Sequence, residues 1–113
     1  MGTLRLEVGK HTEAREAFDL AIKNCNLLID TIQGDGEEKQ QLLAMRITAR
    51  FNLAYWYEME HKLGEATDIY KQIIAEEPTY LDAYLRLAYL AKDRGAFSKA
   101  LDYLEKAKQY ANR

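Results

Sequence analysis

Leu53-Ala54, followed at fixed distances by Ala66, Tyr70, Ile73 and Pro78, recurs 34 residues later as Leu87-Ala88, Ala100, Leu104, Ala107 and Asn112. The two stretches align without a gap. Small residues at Ala54, Ala66, Ala88 and Ala100 let two helices approach closely, where larger side chains would hold them apart. Tyr57, Tyr70, Tyr84 and Leu104 are expected to fill the space between neighbouring helices. Outward from this core, apolar residues keep a three- and four-residue spacing, the period of an amphipathic helix. Strand signals are nearly absent. Glycines at Gly9, Gly34, Gly36, Gly64 and Gly95 and the single proline, Pro78, cut the chain into helix-length pieces. The spacing predicts an all-α protein with helices at 2–8, 12–32, 37–60, 63–76, 80–93 and 96–110. Gly64 and Gly95 are expected to relieve the turns inside the helical hairpins, and Pro78 suits the turn after a second helix.

A period of 34 with paired helices resembles the tetratricopeptide repeat. The resemblance implies a solenoid of helical hairpins with one enlarged repeat. Gly9, Ala14, Phe18 and Ala21 fit the turn and second helix of a preceding half repeat, and Met1-Gly2 falls on the Leu-Gly position of its first helix. Most of that helix is missing: excision from a longer protein is the favoured expectation, and an atypical capping element beginning at Met1 is the alternative. From Ala14 to Ala66 the spacing is 52, one period plus 18. The added length holds the turn signal Gln33-Gly34-Asp35-Gly36. Two lengthened helices meeting there would account for it, and a mobile loop is the alternative. Leu27, Leu28, Leu42, Leu43, Met45 and Ile47 favour helix. The partition predicted is a partial repeat over 1–36, an enlarged repeat over 37–79 and a further repeat over 80–113, together one domain.

Composition narrows the function. The chain has 113 residues, 48% hydrophobic and 30% charged, with a formal net charge of -2. Such a balance belongs to an ordinary folded domain and predicts no direct nucleic-acid binding, which takes a concentrated basic surface. No apolar run reaches the roughly 18 residues of a membrane span. Cys25 is the only cysteine, so an internal disulfide is excluded and a reducing, intracellular compartment is the simpler expectation. His11 and His61 each stand near a predicted turn with no ligand at metal spacing. Gly34-Asp35-Gly36-Glu37-Glu38 lacks the pattern of a phosphate or calcium loop. Its acids suit the N-terminus of the next helix instead. No catalytic, metal or cofactor constellation emerges, and the chain is not expected to be an enzyme or to need a cofactor.

Stacked helical hairpins curve, and the first helix of each pair lines the concave face. By resemblance to the repeat family, that face would present Thr48, Phe51, Asn52, Tyr55 and Met59, then Asp82, Leu85, Arg86, Tyr89 and Asp93. The mixture of aromatic, apolar and charged side chains suits a protein partner. Asn52 and Arg86 match two positions of the clamp with which chaperone adaptors hold a C-terminal carboxylate. Asp82 stands where that clamp would want a lysine and would repel the ligand.

The stretch Phe51-Asn52-Leu53-Ala54-Tyr55-Trp56-Tyr57-Glu58 narrows the resemblance. With Glu77-Pro78-Thr79-Tyr80-Leu81-Asp82-Ala83-Tyr84-Leu85-Arg86-Leu87-Ala88 and Ala91-Lys92-Asp93-Arg94-Gly95, it is similar to the tetratricopeptide scaffold subunits of the RNA polymerase II-associated factor (Paf) complex. Leu101-Asp102-Tyr103-Leu104 departs from that family, where a Trp-Phe-type pair is expected. The resemblance implies a nuclear scaffold that binds sister subunits and supports transcription elongation and histone modification without chemistry of its own. A cytoplasmic adaptor for an extended peptide and a regulatory repeat segment of a larger enzyme are the alternatives. Apolar repeat faces left open at the ends predict self-association.

Overall fold

The computed structural model describes residues 2–112, with side chains from residue 12 onward. Among these, the regular elements are all α-helices: α1 (Gly2–Thr31), α2 (Glu37–Met59), α3 (Leu63–Glu76), α4 (Leu81–Asp93) and α5 (Phe97–Ala111). From α2 onward, each begins and ends within about one residue of the range predicted from spacing. The position assigned to Met1 in a repeat lies outside the described residues.

The N-terminal turn is corrected. Instead of two helices parted at Gly9, α1 runs unbroken for 30 residues, and the backbone of His11 is helical. An isolated glycine costs a helix about 1 kcal/mol relative to alanine. With no proline nearby, that is too little to end a helix continued on both sides.

The Gly-rich segment does separate two long helices. Gly34 takes the left-handed conformation, φ +83°, and Thr31 Oγ1 donates to the Leu28 carbonyl at 2.8 Å across the last turn of α1. Glu37 and Glu38 occupy the first turn of α2, where negative charge meets the positive end of the helix dipole. Lys39 pairs with Asp35 at 3.6 Å. The added length between the half repeat and the full repeats is therefore ordered helix.

The chain divides into two compact units, Met1–Trp56 and Tyr57–Arg113. In the first, α1 and α2 run antiparallel. Arg46 Nη1 donates to Asn26 Oδ1 at 2.7 Å, and the Arg15 guanidinium lies 5.8 Å from the centre of the Trp56 ring. Cys25, Ile47 and Ala49 are buried, so the lone thiol packs as a small hydrophobe.

In the second unit, α4 packs against both α3 and α5. Tyr70, Ile73, Leu87 and Leu90 are its largest fully buried side chains, each contributing roughly 1.5–3 kcal/mol by leaving water. Ala66, Ala88 and Ala100 are buried at the positions where close approach was predicted. Tyr84 stacks on Tyr110 with ring centres 5.7 Å apart, joining α4 to α5. Leu104, expected to fill an inter-helix space, is instead 45% exposed.

The two hairpin turns in this unit share one design. After α4, Gly95 takes φ +80°, Gly95 N donates to the Lys92 carbonyl and Ala96 N reaches back to the Ala91 carbonyl at 2.8 Å. One period earlier, His61 takes φ +61°, and Lys62 N reaches the Tyr57 carbonyl at 2.9 Å. Both are left-handed caps that satisfy the last carbonyls of a helix. The sequence assigned this role in the earlier turn to Gly64. That residue lies inside α3, and the histidine takes the strained conformation.

Candidate protein-interaction surface

Of the side chains assigned to the concave face, Thr48, Asn52, Tyr55, Met59, Asp82, Leu85, Tyr89 and Asp93 are exposed, while Phe51 and Arg86 are half-buried. Exposed apolar and aromatic groups such as Tyr55, Met59, Leu85 and Tyr89 are the kind a partner would cover. Within each unit the structure gathers some of them. Thr48 and Asn52 line a shallow apolar concavity of about 410 Å³ with Phe18 and Ala21 of α1 and Met45 of α2. Leu85 and Tyr89 line a second, of about 450 Å³, with Phe97, Leu101 and Leu104 of α5.

The α5 residues were not assigned to a surface from sequence. Their spacing, Phe97 to Leu101 and on to Leu104, is that of one helix stripe, and the same stripe would serve a buried face equally well. Their exposure in the fold, 64% at Phe97 and 61% at Leu101, distinguishes the two.

Arg86 is engaged within the chain. Its Nε donates to Glu58 Oε1 at 3.1 Å, and its Nη2 forms an ion pair with Glu58 Oε2. Glu58 is only 6% exposed and also accepts a hydrogen bond from Tyr70 Oη at 3.1 Å. The guanidinium further lies 5.1 Å from the centre of the Tyr89 ring. A planar, permanently charged fork satisfies a buried carboxylate in two places at once. Arg86 therefore joins the end of α2 to α4, and an incoming carboxylate would have to compete with Glu58 for it. Asp82, exposed in the first turn of α4, adds repulsion.

Two tyrosines are tuned by this packing. Burial, then the charge and hydrogen bond of Tyr110, hold the Tyr84 phenol above its ordinary range. Burial, then the carboxylate of Asp82, raise Tyr80. Both stay neutral at physiological pH. Among the described residues, no group of three or more His, Cys, Asp or Glu is placed to hold a metal ion, and no helix is long and apolar enough to cross a membrane.

Residues 59–113 match the family model of the tetratricopeptide repeat. The helices of that segment, α3, α4 and α5, form the compact second unit, an arrangement consistent with such repeats, whose stacked hairpins serve as protein-binding surfaces. The chain is 29% identical over 117 aligned residues to the RNA polymerase-associated protein CTR9 of Caenorhabditis elegans, an alignment covering 97% of the chain and 10% of that protein. It is 40% identical over 62 residues to the protein CTR9 homolog of Arabidopsis thaliana, covering 55% of the chain and 6% of that protein. The chain thus spans a tenth or less of the length of these curated relatives.

Proposed function

We propose that the chain is a non-catalytic interaction segment of a nuclear transcription-elongation scaffold, holding sister subunits of a polymerase-associated complex. The observation that carries this reading is similarity to an RNA polymerase-associated protein along 97% of the chain. In this reading residues 1–36 form a partial repeat with a lengthened second helix, 37–79 an enlarged repeat and 80–113 a further repeat. Partners contact Thr48, Phe51, Asn52 and Tyr55 in the first unit and Met59, Asp82, Leu85, Tyr89 and Asp93 in the second, while Arg86 holds α4 in place through Glu58. The Arg86–Glu58 pairing supports an internal protein segment as the ligand rather than a free C-terminal carboxylate.

Immobilised chain, incubated with nuclear and cytoplasmic extracts, is expected to retain RNA polymerase-associated proteins from the nuclear extract. The Asn52→Ala, Tyr89→Ala double variant, whose changes fall on exposed side chains, should keep its helical circular dichroism and lose that capture. Retention of chaperones that a free C-terminal peptide displaces would contradict the reading.

A further inference from the structure

Asp35-Gly36 is the one place in the sequence where an aspartate or asparagine is followed by glycine. An aspartyl side chain can close on the backbone nitrogen of the next residue, forming a cyclic imide, wherever that nitrogen is free to be approached. Helices forbid this. Asn24, Asn26, Asn52, Asp68 and Asp102 lie inside α1, α2, α3 and α5, where the next nitrogen is tied into the hydrogen-bond ladder.

The turn between α1 and α2 leaves Asp35 untied. Helix α2 begins at Glu37, so Gly36 N precedes its ladder, and among the described residues it donates to no backbone carbonyl. Gly36 contributes its carbonyl instead, which accepts from Gln40 N at 3.1 Å. A Cβ at Gly34 or Gly36 would meet no atom within 4 Å, so nothing packs against the backbone on either side of Asp35. Glycine on both sides lowers the cost of the backbone rotation that ring closure needs. The Asp35 carboxylate is 85% exposed and meets Lys39 at 3.6 Å, an ion pair of the kind that restrains a side chain only weakly. All of these features lie within residues 34–40, away from both ends of the sequence.

We propose that Asp35 is a site of spontaneous backbone rearrangement to isoaspartate. Gly36 N attacks Cγ of the protonated carboxyl. The Cγ–N bond forms as a Cγ–O bond breaks, and water leaves with the carboxyl proton and the amide proton. A second water then opens the imide. Attack at Cγ restores aspartate, whereas attack at the main-chain carbonyl breaks the original peptide bond and leaves the chain running through Cγ. The product has an extra methylene in the backbone immediately before the residue that caps α2. Its carboxylate has moved onto Cα, out of the register in which Lys39 meets it, and the N-terminus of α2 is loosened with time. This chemistry needs no partner, so it holds or fails independently of the polymerase-associated reading.

The whole chain is incubated at neutral pH and digested, and the fragment carrying position 35 is followed by mass spectrometry with electron-transfer fragmentation, which separates isoaspartate from aspartate. The imide, one water lighter, should appear first, and isoaspartate should accumulate at 35 faster than at any other aspartate or asparagine. Gly36→Ala, checked for folding by circular dichroism, places a Cβ beside the attacking nitrogen and should slow the conversion about tenfold. A free peptide of residues 32–40 gives the rate without the fold. The folded chain should stay within about threefold of it, because no hydrogen bond must open first. Conversion more than about tenfold slower in the chain than in the peptide would overturn the proposal. So would an unchanged rate in Gly36→Ala, or faster conversion at another position.

Discussion

Glu58 is held by Arg86 from α4 and by the Tyr70 hydroxyl from α3, so one carboxylate joins the end of α2 to the next two helices. Removing the cation leaves a negative charge in a site 6% open to water, a more costly change than loss of an exposed ion pair. Arg86→Met is therefore expected to destabilise the chain by about 3 kcal/mol in urea denaturation. Glu58→Gln combined with Arg86→Met should recover much of that loss. A single-variant change within about 0.5 kcal/mol, as at ordinary surface positions, would show that the pair holds nothing together. The position of Arg86 on the first helix of its hairpin was legible from the repeat. Its partner was not, because Glu58 stands 28 residues away and periodicity says which face a residue occupies, not which charge it meets. Tyr84 gives a second test. Its raised pKa means the fold favours the neutral phenol, so its contribution to stability is complete below about pH 10. That contribution is lost as pH rises through the higher folded value. Tyr84→Phe should flatten the alkaline limb of the stability profile, and an unchanged limb would assign alkaline unfolding to other groups.

At the scale of elements, the hairpin turns show what glycine does and does not signal. Gly95 and His61 occupy equivalent caps one period apart, both at positive φ. Only the first suits that conformation, since a Cβ in the left-handed region costs roughly 1–2 kcal/mol. His61→Gly is expected to raise stability by about 1 kcal/mol, and Gly95→Ala to lower it by about the same amount. Thermal denaturation of the two variants tests this, and shifts of the same sign would refute the shared cap design. The same chemistry explains which element boundaries the sequence revealed. Helices α2 to α5 were legible because apolar spacing and turn residues agree there. Gly9 misled because a glycine permits a turn without requiring one. His61 was missed because nothing in a histidine announces a left-handed cap. The groove on α5 was missed because the stripe of Phe97, Leu101 and Leu104 looks the same whether a helix covers it or not.

For the whole molecule, exposed apolar side chains set the solution behaviour. Leu27, Leu28 and Met45 of the first unit are all more than half exposed, at 57%, 52% and 59%, and large apolar side chains in water favour association. Weak, concentration-dependent self-association is expected in equilibrium sedimentation, reduced by Leu27→Asp with Leu28→Asp. A single monomeric species at all concentrations would contradict it. The central claim is that exposed side chains of α2, Tyr55 among them, meet a polymerase-associated partner. The most direct measurement is photo-crosslinking in nuclear extract from a reactive side chain at Tyr55, with Gln72, exposed on α3, as the comparison site. Crosslinks from position 55 to an RNA polymerase-associated protein, with few from position 72, are the predicted result. Crosslinks to chaperones alone, or the same products from both positions, would contradict the account.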